Sequence, residues 1–175
     1  MDETKSKYDI DAQLERCVEW VKFAEAKNGI AFTLLGALLV ELFDKDIWKF
    51  GLVGIALMAS VIVLLVLLLY TFIPRMSPVI EGATEEEPEN AEDAMKFLNI
   101  PVNLNFYGDI CKVPLWAYRK KVIQSYPEYD ENSKHFLDVT HQIWINCKIA
   151  VIKFKWFKRV CFCTAIPFIL IVVVA

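Results

Sequence analysis

Apolar residues in this chain fall into three long blocks, and polar stretches separate the blocks. The second block, residues 50–73, has 24 residues without a single charge (FGLVGIALMASVIVLLVLLLYTFI). A helix rises about 1.5 Å per residue, so a block of this length reaches roughly 36 Å and can cross a hydrocarbon core of about 30 Å. This block therefore predicts a transmembrane helix.

The first apolar block, residues 29–43, carries Glu41 as its one charge. Only the six residues DKDIWK separate it from the second block, and a loop this short forces two spans to run antiparallel. We therefore predict a transmembrane helical hairpin over residues 29–73. The third block, residues 160–175, is uncharged but has only 16 residues, which leaves both a full third span and a re-entrant segment open.

The polar stretches have a helical period of their own. Before the hairpin, apolar residues recur at steps of four and three, which predicts an amphipathic helix within residues 1–28 that begins near Asp9 or Asp11. After the hairpin, a second stripe continues into the third block and predicts one helix from about Asn132 to Ala175, roughly 65 Å long. The first stripe contains Ile10, Leu14, Cys17, Val21 and Ala24, and the second contains Phe136, Val139, Ile143, Cys147, Ala150, Phe154 and Phe157.

Weaker signals divide the region between the hairpin and the last helix. Residues 81–93 (EGATEEEPENAED) hold seven acidic side chains and a proline, which is typical of a mobile, solvated loop. Residues 106–109 (FYGD) predict a turn in which Gly108 takes a positive φ and Asp109 caps the next segment. A short helix over residues 115–125 follows.

Together these elements predict an all-α membrane protein. An N-terminal amphipathic helix leads into a two-span hairpin, a cytoplasmic helical bundle follows, and a long C-terminal helix continues into a third span. The two apolar stripes are the natural partners within the bundle. The predicted segments are a cytoplasmic N-terminal helix at 1–28, the transmembrane hairpin at 29–73, a cytoplasmic helical region with its acidic loop at 74–159, and a C-terminal transmembrane segment at 160–175.

Composition and charge favour one orientation of this arrangement. Hydrophobic residues make up 56% of the chain, above the roughly 45–50% of soluble domains. Of the 19 Lys and Arg residues, five precede the first span and twelve lie between Arg75 and Arg159, so the positive-inside rule places both regions in the cytoplasm. The five cysteines are odd in number and have no metal-ligand spacing, which favours free thiols in a reducing compartment.

The sequence contains no motif of a known enzyme class: no glycine-rich phosphate loop, no nucleophile elbow and no metal-binding pair of histidines. We therefore expect neither catalysis nor a metal or cofactor, and no basic patch with aromatic residues indicates nucleic-acid binding. Three basic features admit two interpretations, a belt facing anionic lipid headgroups or a site that recognises phosphate. They are Lys27 with Asn28, Lys148 with Lys153, and the run Arg119, Lys120 and Lys121.

Three motifs of this chain occur in the same order in a known family. Residues 24–29 (AEAKNG) open the hairpin, residues 105–110 read NFYGDI, and residues 137–154 contain LDVTHQIWIN followed by KIA and KF. With the span pattern, these motifs resemble the Pycsar transmembrane effector domain of bacterial antiphage systems over roughly residues 18–175. The acidic stretch at 81–93 departs from the family pattern.

The resemblance implies an effector that senses a cyclic nucleotide, cyclic CMP or cyclic UMP, made by a paired cyclase during phage infection. Such an effector responds by impairing the bacterial inner membrane, and we expect it to be a multi-pass protein and a homo-oligomer there. Two alternatives stay open: an effector of a cyclic-oligonucleotide system, and a structural or scaffolding membrane protein without a ligand. The candidate ligand residues are Lys27, Asn28, Gly108, Asp109, Gln142 and Lys148.

Overall fold

The computed structural model describes residues 9–72 and 88–174, and over residues 166–174 it describes the helix backbone alone. Every regular element in these residues is helical, which confirms the all-α prediction. The elements are α1 (Ile10–Asp44), a short 3₁₀ helix (Ile47–Phe50), α2 (Leu52–Phe72), α3 (Ala91–Leu98), α4 (Tyr107–Ile110), α5 (Leu115–Ser125) and α6 (Lys134–Val174).

The longer helices follow the sequence signals that predicted them. The Asp9 carboxylate accepts the backbone N–H groups of Asp11 and Ala12 at 2.9 and 3.3 Å, so Asp9 is the cap at the start of α1. From there α1 runs without a break through residues 24–29, and α5 has the predicted bounds. The last helix, α6, also continues unbroken into the apolar block at 160–175.

The chain divides into two compact units, each built from two separate stretches. The helical unit comprises residues 1–22 with 77–151, and the hairpin unit comprises residues 23–76 with 152–175. Helices α1 and α6 contribute residues to both units, α2 belongs to the hairpin unit, and α3, α4 and α5 belong to the helical unit. Each unit has its own hydrophobic core. The two units are defined by contacts within the protein, not by a membrane. They therefore do not test the predicted limits of the spans, which stay predictions.

The core of the helical unit gathers apolar residues from α1, α3, α4, α5 and α6. The two predicted stripes meet here, since Cys17 of α1 contacts Cys147 of α6 and neither side chain is exposed. The indole of Trp144 is also fully buried and donates from Nε1 to the Val113 carbonyl oxygen at 2.9 Å. The stripe residues buried in this core are Ile10, Cys17, Phe136, Val139, Ile143 and Cys147.

Two of the three basic residues on α5 hold this core together. Arg119 donates from Nε to Thr140 Oγ1 at 3.1 Å, which ties α5 to α6. Lys121 donates from Nζ to the carbonyl oxygens of Leu98 and Ile100 at 2.7 and 2.8 Å, at the end of α3. Burial lowers the pKa of Lys121. In this arrangement both cations satisfy polar atoms of the unit itself rather than an external phosphate.

The core of the hairpin unit is a seam between α1 and α2, to which α6 adds Val160. On α2 the buried positions follow steps of three and four, the spacing of a coiled-coil seam. Gly54 lies so close to the 3₁₀ helix that a Cβ built on it would sit 1.9 Å from the Ile47 carbonyl oxygen, so only glycine fits there. The buried residues of α2 are Gly54, Leu57, Val61, Leu64, Leu68 and Thr71.

Large apolar side chains cover the outside of the hairpin unit. Leu52 is 84% exposed and Leu34 is 66% exposed, and lipid tails solvate such a surface whereas water does not. Within the described residues, the helices long and apolar enough to cross a membrane are Ile10–Asp44 and Leu52–Phe72. This finding supports the predicted hairpin, while the third span at 160–175 stays a prediction.

Two local predictions are wrong. Residues 91–93, assigned to the acidic loop, form the first turn of α3, because the Asn90 side chain accepts the Glu92 N–H at 3.0 Å and caps the helix. The earlier part of that stretch, 81–87, lies outside the described residues. Gly108 does not take the positive φ of a turn but is helical within α4.

Candidate functional site

An aromatic cluster lies on the helical unit, where α1 meets the start of α4. The ring centroid of Trp20 lies 5.1 Å from that of Tyr107, which in turn lies 4.8 Å from that of Phe106. Burial raises the pKa of the Tyr107 phenol, so it stays neutral at physiological pH. Phe106 is 42% exposed. The cluster therefore exposes part of Phe106 to solvent, with Tyr107 packed against Phe106 and Trp20 packed against Tyr107.

The glycine of the FYGD motif permits this arrangement. A Cβ built on Gly108 would lie 2.7 Å from Phe106 Cε1, so the phenylalanine ring packs against bare backbone. Phe106 itself is extended and directly precedes α4, which directs the chain into the helix at that point. The turn prediction failed because glycine is needed here to let the Phe106 ring come close, not to adopt a left-handed backbone conformation.

Polar side chains surround the aromatic cluster. Arg16 of α1 donates from Nη1 to Asn105 Oδ1 at 3.1 Å, and Asn103 Oδ1 accepts the Asn105 N–H at 2.9 Å. Asp109 accepts the Asn103 N–H at 3.2 Å and forms an ion pair with Lys112. The hydrogen bond from Lys112, followed by that from Asn103, holds the pKa of Asp109 below its ordinary value. The carboxylate is therefore negative at neutral pH and fixes the loop before α4.

The residue types in this set suit contact with a small molecule that is both aromatic and anionic. An exposed ring stacks on a heterocyclic base, an interaction worth about 1–3 kcal/mol per base. A guanidinium binds phosphate oxygens through charge-assisted hydrogen bonds, and an asparagine amide both donates and accepts. We name the set the stacking surface, and it comprises Arg16, Trp20, Asn105, Phe106 and Tyr107.

Four of the six predicted ligand residues lie in the helical unit. Gly108 and Asp109 are in α4, directly beside the stacking surface. Gln142 is exposed on α6, and Lys148 lies further along α6 with Nζ 4.8 Å from the ring centroid of Trp144. In the described part of the chain, no hydrogen bond or ion pair joins these two α6 residues to the α4 pair. The structure thus brings together Gly108 and Asp109 but not the full predicted set.

The other two predicted ligand residues, Lys27 and Asn28, lie in the hairpin unit. The Lys27 Nζ lies 4.4 Å from the ring centroid of Phe23, and 5.5 and 5.7 Å from those of Phe154 and Phe157. Cation–π contacts at these distances are favourable. The ammonium group that was predicted to meet a phosphate therefore already has aromatic partners within its own unit.

Asn28 places a polar group inside the apolar seam. Its side chain is 1% exposed, and its Nδ2 donates to Thr71 Oγ1 at 3.1 Å. The Asn28 Oδ1 accepts no hydrogen bond from the residues that the structure describes. A soluble ligand would reach this amide only after the seam opened, so a role of Asn28 in ligand binding stays a prediction.

Sequence reasoning missed Arg16, Trp20 and Asn105. Arg16 and Trp20 are four residues apart and therefore share a helix face, which was an available signal. The pairing of Arg16 with Asn105, however, spans 89 positions of the chain. No local pattern carries that information, because it depends on how α1 packs against the segment before α4.

One comparison with known proteins gives a match. A family model described as a Pycsar effector protein domain matches residues 9–175, nearly the whole chain. The matched range includes the entire stacking surface and all six predicted ligand residues. No curated protein matches the chain, and no solved structure matches it. The assignment of the chain to a family therefore rests on this match.

Proposed function

This chain belongs to the Pycsar effector family, and we propose that a cyclic pyrimidine mononucleotide, cyclic CMP or cyclic UMP, switches it to a membrane-disrupting state. Family membership makes it an antiphage defence effector of the Pycsar system. The proposal adds a binding site, the stacking surface. The observation that carries it is the contact between Arg16 and Asn105 beside the exposed ring of Phe106, since it puts a cation next to a stacking platform.

Each part of a cyclic pyrimidine nucleotide has a counterpart on this surface or directly beside it. The base would stack on Phe106, whose ring closely approaches the bare backbone at Gly108. The cyclic phosphate carries one negative charge and would meet the guanidinium of Arg16. The Asn105 amide would then turn to the ribose or the base edge, and the carboxylate of Asp109 would accept from an amino group such as that of cytosine.

We infer that α1 transmits the response, because binding must favour one arrangement of the helices over another. The bond between Arg16 and Asn105 joins α1 to the segment before α4, and a phosphate on Arg16 would compete for it. Helix α1 continues without a break from Arg16 into the predicted first span at 29–43. A shift of α1 would therefore reach the predicted first span through one continuous helix.

The hairpin unit supplies the membrane-active part of the proposal. Its exposed apolar side chains suit lipid tails. We place the chain in the bacterial inner membrane as a multi-pass protein, with the N-terminal helix and residues 74–159 in the cytoplasm. Two or three spans per chain are too few to line a wide pore, so the proposal includes a homo-oligomer. It includes no enzymatic step, metal or cofactor.

The six predicted ligand residues enter the proposal unequally. Gly108 and Asp109 lie directly beside the stacking surface, where Gly108 leaves room for the Phe106 ring and Asp109 is a further candidate for contact with the base. Gln142 is open to solvent on α6 and is a second candidate for contact with the nucleotide. Lys148, Lys27 and Asn28 have partners inside their own units, so we assign them to ligand binding only if the helices rearrange.

Dye leakage from liposomes of bacterial phospholipid tests the proposal with the purified full chain. Cyclic CMP, cyclic UMP and a cyclic dinucleotide are added to separate samples. We expect one of the pyrimidine nucleotides to accelerate leakage. Arg16→Gln should raise its half-maximal concentration about tenfold or more, because a hydrogen bond to a charged group contributes about 1.5–3 kcal/mol and 1.4 kcal/mol is a factor of ten. Phe106→Ala should act in the same direction.

Lys22→Gln is the matched control, since it removes the same charge from an exposed position of α1. It should leave the half-maximal concentration unchanged. If no nucleotide changes leakage or thermal stability, the chain is not ligand-gated and the proposal is wrong. A response to the cyclic dinucleotide alone would instead assign the chain to a cyclic-oligonucleotide signal.

A further inference from the structure

Two of the five cysteines face each other in the core of the helical unit. The Sγ atoms of Cys17 and Cys147 are 3.2 Å apart, and neither side chain has any exposed surface. The first lies on α1 and the second on α6, 130 positions later in the chain. Both are free thiols, as the sequence predicted, and their sulfurs are in van der Waals contact.

The surroundings of the pair make its two sulfurs unequal. The hydrogen bond from Cys147 lowers the pKa of Cys17, and the Gln13 Nε2 group, 3.7 Å from Cys17 Sγ, acts in the same direction. The same hydrogen bond, together with burial, raises the pKa of Cys147. Cys17 is therefore the thiol that more readily becomes a thiolate, the reactive form towards oxidants.

We propose that Cys17 and Cys147 form an oxidation site, at which a two-electron oxidant of the hydroperoxide class creates a disulfide between α1 and α6. The Cys17 sulfur attacks one peroxide oxygen, the O–O bond breaks, and the other oxygen leaves with the thiol proton, as water from hydrogen peroxide or as an alcohol from an alkyl hydroperoxide, while a sulfenic acid forms. The Cys147 sulfur then attacks the sulfenic sulfur, its proton leaves with the hydroxyl as water, and the S–S bond forms. Two thiols lose two electrons, and the peroxide gains them.

Little movement is needed for this reaction. The sulfurs close from 3.2 Å to the bonded distance of about 2.05 Å. Because both side chains are buried, the oxidant gains access during local opening of the helical unit, and the rate of oxidation should follow that opening.

The consequence for activity rests on the proposed function. If the nucleotide response requires α1 to shift against α6 within the helical unit, a disulfide between them prevents it. The oxidised chain would then be a locked form that binds the nucleotide weakly or not at all. Reduction would restore the response, so the pair would act as a redox lock on the effector.

Peptide mapping tests the site itself. The purified full chain is treated with hydrogen peroxide, alkylated without reduction, digested and analysed by mass spectrometry. We expect a cross-linked peptide pair containing Cys17 and Cys147, two hydrogens lighter than its reduced parts, and a higher midpoint of thermal unfolding that a dithiol reductant reverses. The triple variant Cys111→Ser, Cys161→Ser and Cys163→Ser should give the same linked pair, and Cys147→Ala should abolish it.

Failure of the mapping and failure of the proposed function give different results. If neither the wild type nor the triple variant yields the linked pair, or if Cys17 pairs with Cys111 instead, the oxidation site is wrong whatever the nucleotide does. If the pair forms but the reduced protein never leaks with any nucleotide, the site stands and the proposed function falls. If the pair forms and the oxidised chain still leaks fully with the nucleotide, the lock is wrong.

Discussion

The helical unit and the hairpin unit sort their residues in opposite ways. The helical unit buries its large aromatics, such as Trp144, Tyr118 and Phe136, inside a shell that carries most of its charges. The hairpin unit instead carries most of the large apolar side chains that are exposed in the described residues, such as Leu52 and Leu34. The difference indicates two solvents, because water rewards burial of apolar surface and lipid tails do not.

The two cores also differ in how their polar atoms are held. In the helical unit, Arg119 bonds the carbonyl oxygen of Leu137 at 2.9 Å and Lys121 bonds two carbonyl oxygens, so directional contacts fix the packing of α5. The hairpin seam has the pair of Asn28 with Thr71 and otherwise relies on close fit. A core with few directional contacts has fewer barriers to repacking, which suits a unit that is proposed to change state.

The strongest challenge to this comparison is to truncate one apolar residue in each unit. Phe136 is 1% exposed, so Phe136→Ala should lower the free energy of unfolding by about 3–5 kcal/mol. Leu69 is half-exposed on α2. Leu69→Ala should therefore change the free energy of unfolding by no more than about 0.5 kcal/mol. Denaturant unfolding in one lipid–detergent mixture, followed by tryptophan fluorescence, measures both. A large effect of Leu69→Ala would mean that a second copy of the chain covers that face.

A charge placed on each unit sharpens the comparison. Val63 and Met95 are 57% and 53% exposed, one near the middle of α2 and the other on α3. Val63→Lys should lower stability in bicelles by about 2.5–3.5 kcal/mol, less what snorkelling recovers, because the ammonium enters hydrocarbon. Met95→Lys should be nearly neutral, because its surroundings are water. Equal effects of the two substitutions would contradict the assignment of different solvents.

The smallest of the three effects tests the close fit of the seam. Gly54→Ala puts a methyl group against the Ile47 carbonyl oxygen. It should lower the free energy of unfolding, measured by thermal unfolding, by about 1–3 kcal/mol. Gly36→Ala is the matched control on α1, where nothing lies within 4 Å of an added Cβ. The control should be neutral or slightly stabilising, since alanine favours a helix over glycine. If both variants behave alike, the tight turn between α1 and α2 is not a constraint.

Much of the fold was predictable because its helices carry strong periodic signals. The stripe on α6 predicted both the helix and its contact with the stripe on α1, which the pair Cys17 and Cys147 confirms. The hairpin followed from the length of the apolar block at 50–73. In each case the signal is local, repeated over several turns and tied to burial.

The failures have physical reasons as well. Glu92 and Asp93 were assigned to a mobile loop for their charge, yet acidic residues in a first turn also stabilise a helix that Asn90 caps. The stacking surface was only half found. Phe106 and Tyr107 stood out as part of the FYGD motif, whereas the position of Arg16 next to Asn105 depends on tertiary packing across 89 residues.

The interleaved order of the two units has a consequence for how a cell makes this protein. The hairpin stretch, residues 23–76, leaves the ribosome before the residues up to 151 that complete the helical unit. At about 5–20 residues per second, the 130 positions between Cys17 and Cys147 take on the order of ten seconds to synthesise. Each new chain therefore passes through an interval in which its apolar hairpin stretch exists without a finished helical unit, and the cell must tolerate that interval every time.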